Sequence, residues 1–100
     1  MYLKIHKTND QVVVALCDKE LVGKILRDGN LVLDLKKYSS FYVGELTTPE
    51  KAKMSLKEAT SINLVGKRSV DLAISDGLAE KGAERLIGCV PHLQIYWLDV

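Results

Sequence analysis

Few residues in this sequence have both the type and the spacing that chemistry needs. His6, Cys17, Cys89 and His92 carry donor atoms that suit zinc, and Cys89 and His92 are close enough to serve one turn. His6 and Cys17 have no partner at comparable range, so the paired-ligand pattern is half complete and no metal is assigned. Nucleophilic catalysis needs a base beside a serine or cysteine, and a third group that orients the base. Neither histidine lies near a Gly-x-Ser-x-Gly segment, so no catalytic residue is assigned and no cofactor is expected.

Two weaker constellations stand out. Asp18, Asp34, Asn63 and His92 have the side chains that a small-ligand site or an enzyme would use, if the fold gathers them into one pocket. Taken locally, Asp18 is the cap of a short helix, and Asp34 sits between leucines with Lys36 and Lys37 close by. The second constellation is the segment Ser61-Ile62-Asn63-Leu64-Val65-Gly66-Lys67-Arg68, which leads into a helix. Asn63, Lys67 and Arg68 are thereby expected beside free backbone N–H groups at the positive end of the helix dipole, where an RNA phosphate or another anion is stabilised. The plainer alternative makes Asn63 the helix cap and the two cations a solvated first turn. Lys24, with Arg27, Lys36 and Lys37, adds positive charge. Tyr2 and Tyr96 lie on alternating segments and are expected to present rings on one sheet face, whereas Trp97 reads as core.

The elements that must position these groups follow from hydrophobic period and punctuation. Met1 to Lys7 alternates as a half-buried strand, and Gln11 to Cys17 is a continuous β-branched run that reads as a strand covered on both faces. A short helix of about two turns is expected after Asp18, then a turn at Arg27-Asp28-Gly29-Asn30 and a strand from Leu31 to Leu35. Phe41 to Leu46 reads as another short strand. Thr48-Pro49-Glu50 opens a helix that runs to about Ala59, with Ala52, Leu56 and Ala59 inward. Thr60 to Gly66 breaks the pattern before a second helix over about Lys67 to Asp76, which Gly77 ends. Arg85 to Leu98 reads as strand split at Val90-Pro91. This order predicts one α+β domain: a two-layer sandwich with a mixed, mostly antiparallel sheet and the helices on one face.

The totals exclude several classes. With 100 residues, 47% hydrophobic and 27% charged, the chain has one domain's worth of core and no disordered composition. The net charge of +1 excludes a general nucleic-acid coat but not a local basic patch. No apolar run approaches the ~20 residues that a membrane helix needs, and no signal-peptide pattern occurs, so a cytoplasmic location with two reduced thiols is expected.

Cys17 to Lys24, Leu31-Val32-Leu33-Asp34, Ala59 to Gly66 and Val90-Pro91-His92-Leu93-Gln94-Ile95 occur in an order that resembles a small archaeal family, catalogued as domain of unknown function 424. The resemblance covers nearly the whole chain, and Ser-x-Asn-Leu-Val-Gly and Val-Pro-His are its most specific parts. Cys89 departs from it, since glycine is usual there. The resemblance implies a cytosolic two-layer α/β protein associated with translation genes, and it brings no activity, cofactor or catalytic residue. The functional expectation is a non-enzymatic binding module that touches RNA, ribosomal RNA included, or a ribosomal partner. The alternative is the four-residue pocket named above. A third expectation is a homodimer joined through an exposed strand edge near Pro91 to Leu98.

Overall fold

Alternation along the first two strands decides how the molecule is layered. The computed structural model describes residues 1–97. β1 (Tyr2–Lys7) and β2 (Val12–Cys17) form an antiparallel hairpin in which Leu3 pairs with Leu16 and Ile5 with Val14. Cross-strand partners point to the same side, so these four residues line one face and Tyr2, Lys4 and His6 line the other. After Cys17 the chain makes a single 3-10 turn (Lys19–Leu21). A small separate hairpin follows, of β3 (Ile25–Asp28) and β4 (Leu31–Asp34). Next come α1 (Ser39–Tyr42), β5 (Glu45–Leu46), α2 (Pro49–Lys57), β6 (Ser61–Val65), α3 (Lys67–Ser75), β7 (Arg85–Ile87) and β8 (Val90–Tyr96).

The main sheet has the order β5-β1-β2-β6-β8-β7, and β2 with β6 is its parallel pair. The connection between them is long, as parallel strands require, and α2 is its last segment before β6. Its Thr48 cap accepts from Lys51 N at 3.4 Å, with Pro49 opening the helix as expected from the local sequence. The first face carries α2 and α3. Ala52, Leu56, Val70, Leu72 and Ala73 pack there on Val14, Leu16, Ile62, Leu64 and Leu93. The second face is partly covered by the small hairpin and α1. Leu26, Leu35 and Tyr42 close there over Ala15, Cys17, Val65 and Ile87. The mixed, mostly antiparallel sheet and the α+β class stand, with both long helices on one face.

Local readings differ at four places. The expected helix after Asp18 is one 3-10 turn, because Ile25 to Asp28 pairs with Leu31 to Asp34 instead. The expected strand from Phe41 begins as helix α1, and only Glu45–Leu46 pairs. Ser61 to Val65 is the central strand rather than a break. Arg85 onward is a hairpin, not one strand: Ile87 pairs with Val90 across Gly88 (φ +55°) and Cys89 (φ +67°). Positive φ at both central positions matches a type I′ turn, which favours glycine. This geometry gives the physical reason for glycine at position 89, and Cys89 takes up the same left-handed backbone there. The last residue of the expected strand, Leu98, lies outside the described residues.

Candidate functional site

Asp18 occupies the position that was expected to attract an external anion. It is 3% exposed, and its carboxylate accepts from Arg68 N at 3.0 Å, Ser69 N at 2.9 Å and Ser69 Oγ at 2.7 Å. It caps α3, which begins about fifty residues later, and not the 3-10 turn beside it. Its route there is short because β2 and β6 are parallel neighbours, and Asp18 N donates to Val65 O at 3.0 Å. The free amides expected beside Asn63, Lys67 and Arg68 are therefore matched by an acid of the same chain. The helix N-terminus already holds its anion.

Asn63 is not at that helix end as a cap. It lies mid-strand on the second sheet face, where its Oδ1 accepts from Tyr42 Oη at 2.8 Å and from His92 Nε2 at 3.2 Å. Since the amide oxygen accepts, His92 carries its proton on Nε2 and leaves Nδ1 as the acceptor. Burial pushes the Tyr42 hydroxyl up to about 12, with neighbouring Cys17 adding to the shift and the bond to Asn63 opposing it. Burial likewise lowers His92 from its ordinary value. His6 also acts on this face: its Nε2 donates to Phe41 O at 2.9 Å, and its ring stacks on Phe41 with centroids 4.6 Å apart. Both histidines thus fasten α1 to the sheet, His6 directly and His92 through Asn63.

Of the four residues expected to share a pocket, the fold brings together Asn63 and His92. Asp18 is committed to α3. Asp34 Oδ1 accepts from Lys36 N at 3.0 Å and Lys37 N at 2.8 Å, which makes it a turn residue at the end of the small hairpin. Lys24, exposed before β3, rides on the hairpin layer, while Lys67 and Arg68 start α3 on the opposite layer. Lys67 borders a groove of about 420 Å³ whose wall includes Asp71 and Glu84, so acids offset its charge. Among the described residues no three of His, Cys, Asp or Glu gather in a metal-binding group. Cys17 is buried, and its thiol is pushed up to about 12 by burial and then by Asp18 and Glu20, which keeps it unreactive. Among the described residues no helix is long and apolar enough to cross a membrane.

Sequence reasoning expected Tyr2 and Tyr96 to share one open sheet face, and missed that only the half around Tyr96 is open. The row His6–Val13–Ser61–Tyr96 crosses this half on four strands, with Phe41 stacked on His6 at its far end. In the next row, Lys4–Ala15–Asn63–Gln94, Ala15 is fully buried in the cluster that Tyr42 closes. The four strands span three inter-strand gaps, roughly 14 Å. Tyr96 is 67% exposed. Trp97, expected in the core, is 44% exposed. A groove of about 520 Å³ runs between Asp10–Gln11 and Tyr96–Trp97, over Val13 and Ser61. The alternation of Tyr2 and Tyr96 was the signal that pointed here. The register puts both on this side, with Tyr2 half-buried in the row of Cys17, Val65 and His92.

The lowered His92 value has a measurable consequence. A group whose folded value lies below its unfolded one binds fewer protons when folded. Its contribution to stability is complete above the ordinary histidine value near 6.5 and is lost as pH falls below it. The urea midpoint should therefore drop between about pH 7.5 and about pH 5.5. His92→Gln, which still offers an amide donor to Asn63, should flatten that drop. An equally steep loss in the variant would exclude His92 as its source.

A family model described as Protein of unknown function (DUF424) matches residues 6–98. No curated protein matches the chain. Among solved structures, the chain is similar to an uncharacterized conserved protein from Methanopyrus kandleri. The two are 33% identical with a TM-score of 0.81, over 95% of this chain and 89% of that one.

Proposed function

The chain belongs to the family of proteins of unknown function DUF424, and from that premise we propose that it is a non-enzymatic binding module for single-stranded RNA. The ligand lies on the open half of the second sheet face. The observation that carries this reading is Tyr96, 67% exposed on a sheet face beside a groove, in register with Ser61 and Val13. Exposed aromatic rings on a sheet are stacking platforms for unpaired bases, and every base offers a π-face to them. Lys4, one row away and three strands across, supplies a cation for the backbone at the far side of the face. The chemistry of the face supports binding rather than turnover. Its polar groups are engaged with one another, as in Tyr42–Asn63–His92, and none is paired with a nucleophile. Given the translation association implied by the family resemblance, ribosomal RNA is the RNA to test first.

The single tryptophan, Trp97, sits at the groove and reports binding directly. Titration with unpaired ribosomal RNA segments should change its fluorescence, more tightly at about 50 mM than at about 200 mM salt. Tyr96→Ala should weaken binding by roughly 5- to 150-fold, the loss of one stacked base. No fluorescence change at low salt overturns the reading, as does unaltered affinity in the Tyr96→Ala variant.

A further inference from the structure

The hydrogen-bond parity of β8 leaves part of its backbone free. Gly66 N donates to Pro91 O at 2.9 Å and Trp97 N donates to Thr60 O at 3.1 Å. The odd-numbered residues of β8 therefore aim their N–H and C=O groups at β6, and the even-numbered His92, Gln94 and Tyr96 aim theirs outward. β7 takes up the outward side at His92, which pairs with Arg85, and goes no further along β8. Among the described residues, the outward N–H and C=O groups of Gln94 and Tyr96 have no backbone partner. Natural sheets block such edges with lysine, proline or a bulge. Leu93-Gln94-Ile95-Tyr96 has no charge and no proline, and it pairs residue for residue with β6 without a bulge.

We propose that this edge pairs antiparallel with the same edge of a second copy, about a two-fold axis at Ile95. In that register Gln94 faces Tyr96 of the second copy, and Tyr96 faces its Gln94. These are the residues with outward-pointing groups, so each pair exchanges two hydrogen bonds. The segment is thus its own complement, as an isologous interface requires. On the second sheet face a tyrosine ring lies against a glutamine side chain, and on the helix face Ile95 meets Ile95. No like charges come opposite one another, the usual barrier to self-pairing. A foreign peptide strand would draw its specificity from side-chain pockets along the edge, whereas a second copy needs only this register.

Sedimentation equilibrium on the full chain without RNA, from about 10 μM to about 1 mM, covers the range of a short edge interface. The mean mass should climb toward twice the chain mass. Gln94→Pro removes an outward donor, a change that an edge strand tolerates. The double variant Gln94→Lys with Tyr96→Lys sets like charges opposite. Each variant that keeps the parent's circular dichroism should stay at the chain mass at concentrations where the parent doubles. A parent that holds the chain mass throughout overturns the proposal, as does a folded variant that dimerises like the parent. Because no RNA is present, neither result bears on the RNA reading.

Discussion

Replacing Asp18 with alanine should destabilise the protein by about 3 kcal/mol, since it removes a charged acceptor from three buried or half-buried donors. A cap alone is worth about 1–2 kcal/mol. The excess arises at Ser69, which is fully buried, so its N–H and hydroxyl find no water in exchange. In a domain of this size the loss lowers the melting temperature by roughly 12–24 °C. Asp18→Asn should cost less, because the amide keeps one oxygen acceptor while losing the charge and the second acceptor. Thermal and urea unfolding of the two variants checks the order. An alanine variant within about 0.5 kcal/mol of the parent, the ordinary range for surface changes, would mean that the carboxylate does not hold α3.

Gly66→Ala is the complementary change, and its cost should depend on Asp18. Gly66 has φ +107°, and a Cβ built there falls 2.3 Å from Asp18 Cγ. With ψ 156° the backbone lies in a region that is essentially glycine-only, so the backbone term alone is about 1–3 kcal/mol. Pushing aside a carboxylate locked by three hydrogen bonds adds to it, which brings the total to about 3 kcal/mol or more. Asp18→Gly removes the obstacle, so in that background Gly66→Ala should cost the backbone term alone. A double-mutant cycle by urea unfolding reads this coupling. Strict additivity would show that the two residues do not contend for the same space.

This pair also shows where reading the chain locally stops working. Thr48-Pro49-Glu50 announces α2 because its capping atoms lie within three residues of one another. Asp18-Lys19-Glu20 offers the same local signal, yet its carboxylate goes to Arg68 and Ser69. The β2–β6 pairing places α3's first amides beside Asp18, and no local pattern encodes that pairing. Ser61 to Val65 looked like a break for a related reason. Its alternation, Ser61 and Asn63 against Ile62 and Leu64, runs over only four residues between two helix signals, too short a window to stand out. Asn63 adds a polar residue to it, whose partners Tyr42 and His92 lie 21 and 29 residues away.

The candidate site divides in the same way. The alternation around Tyr96 placed its ring on a sheet face, since strand parity is local. That the face is open there, while α1 and the small hairpin cover its other half, depends on contacts between distant segments. Composition, the α2 cap and the alternation of β1 follow from neighbours along the chain, whose preferences act over one turn or one pleat. Strand order, the true target of Asp18 and the free edge of β8 follow from which segments meet in space. Burial and hydrogen-bond satisfaction over the whole molecule select that outcome, and a window of a dozen residues does not contain it.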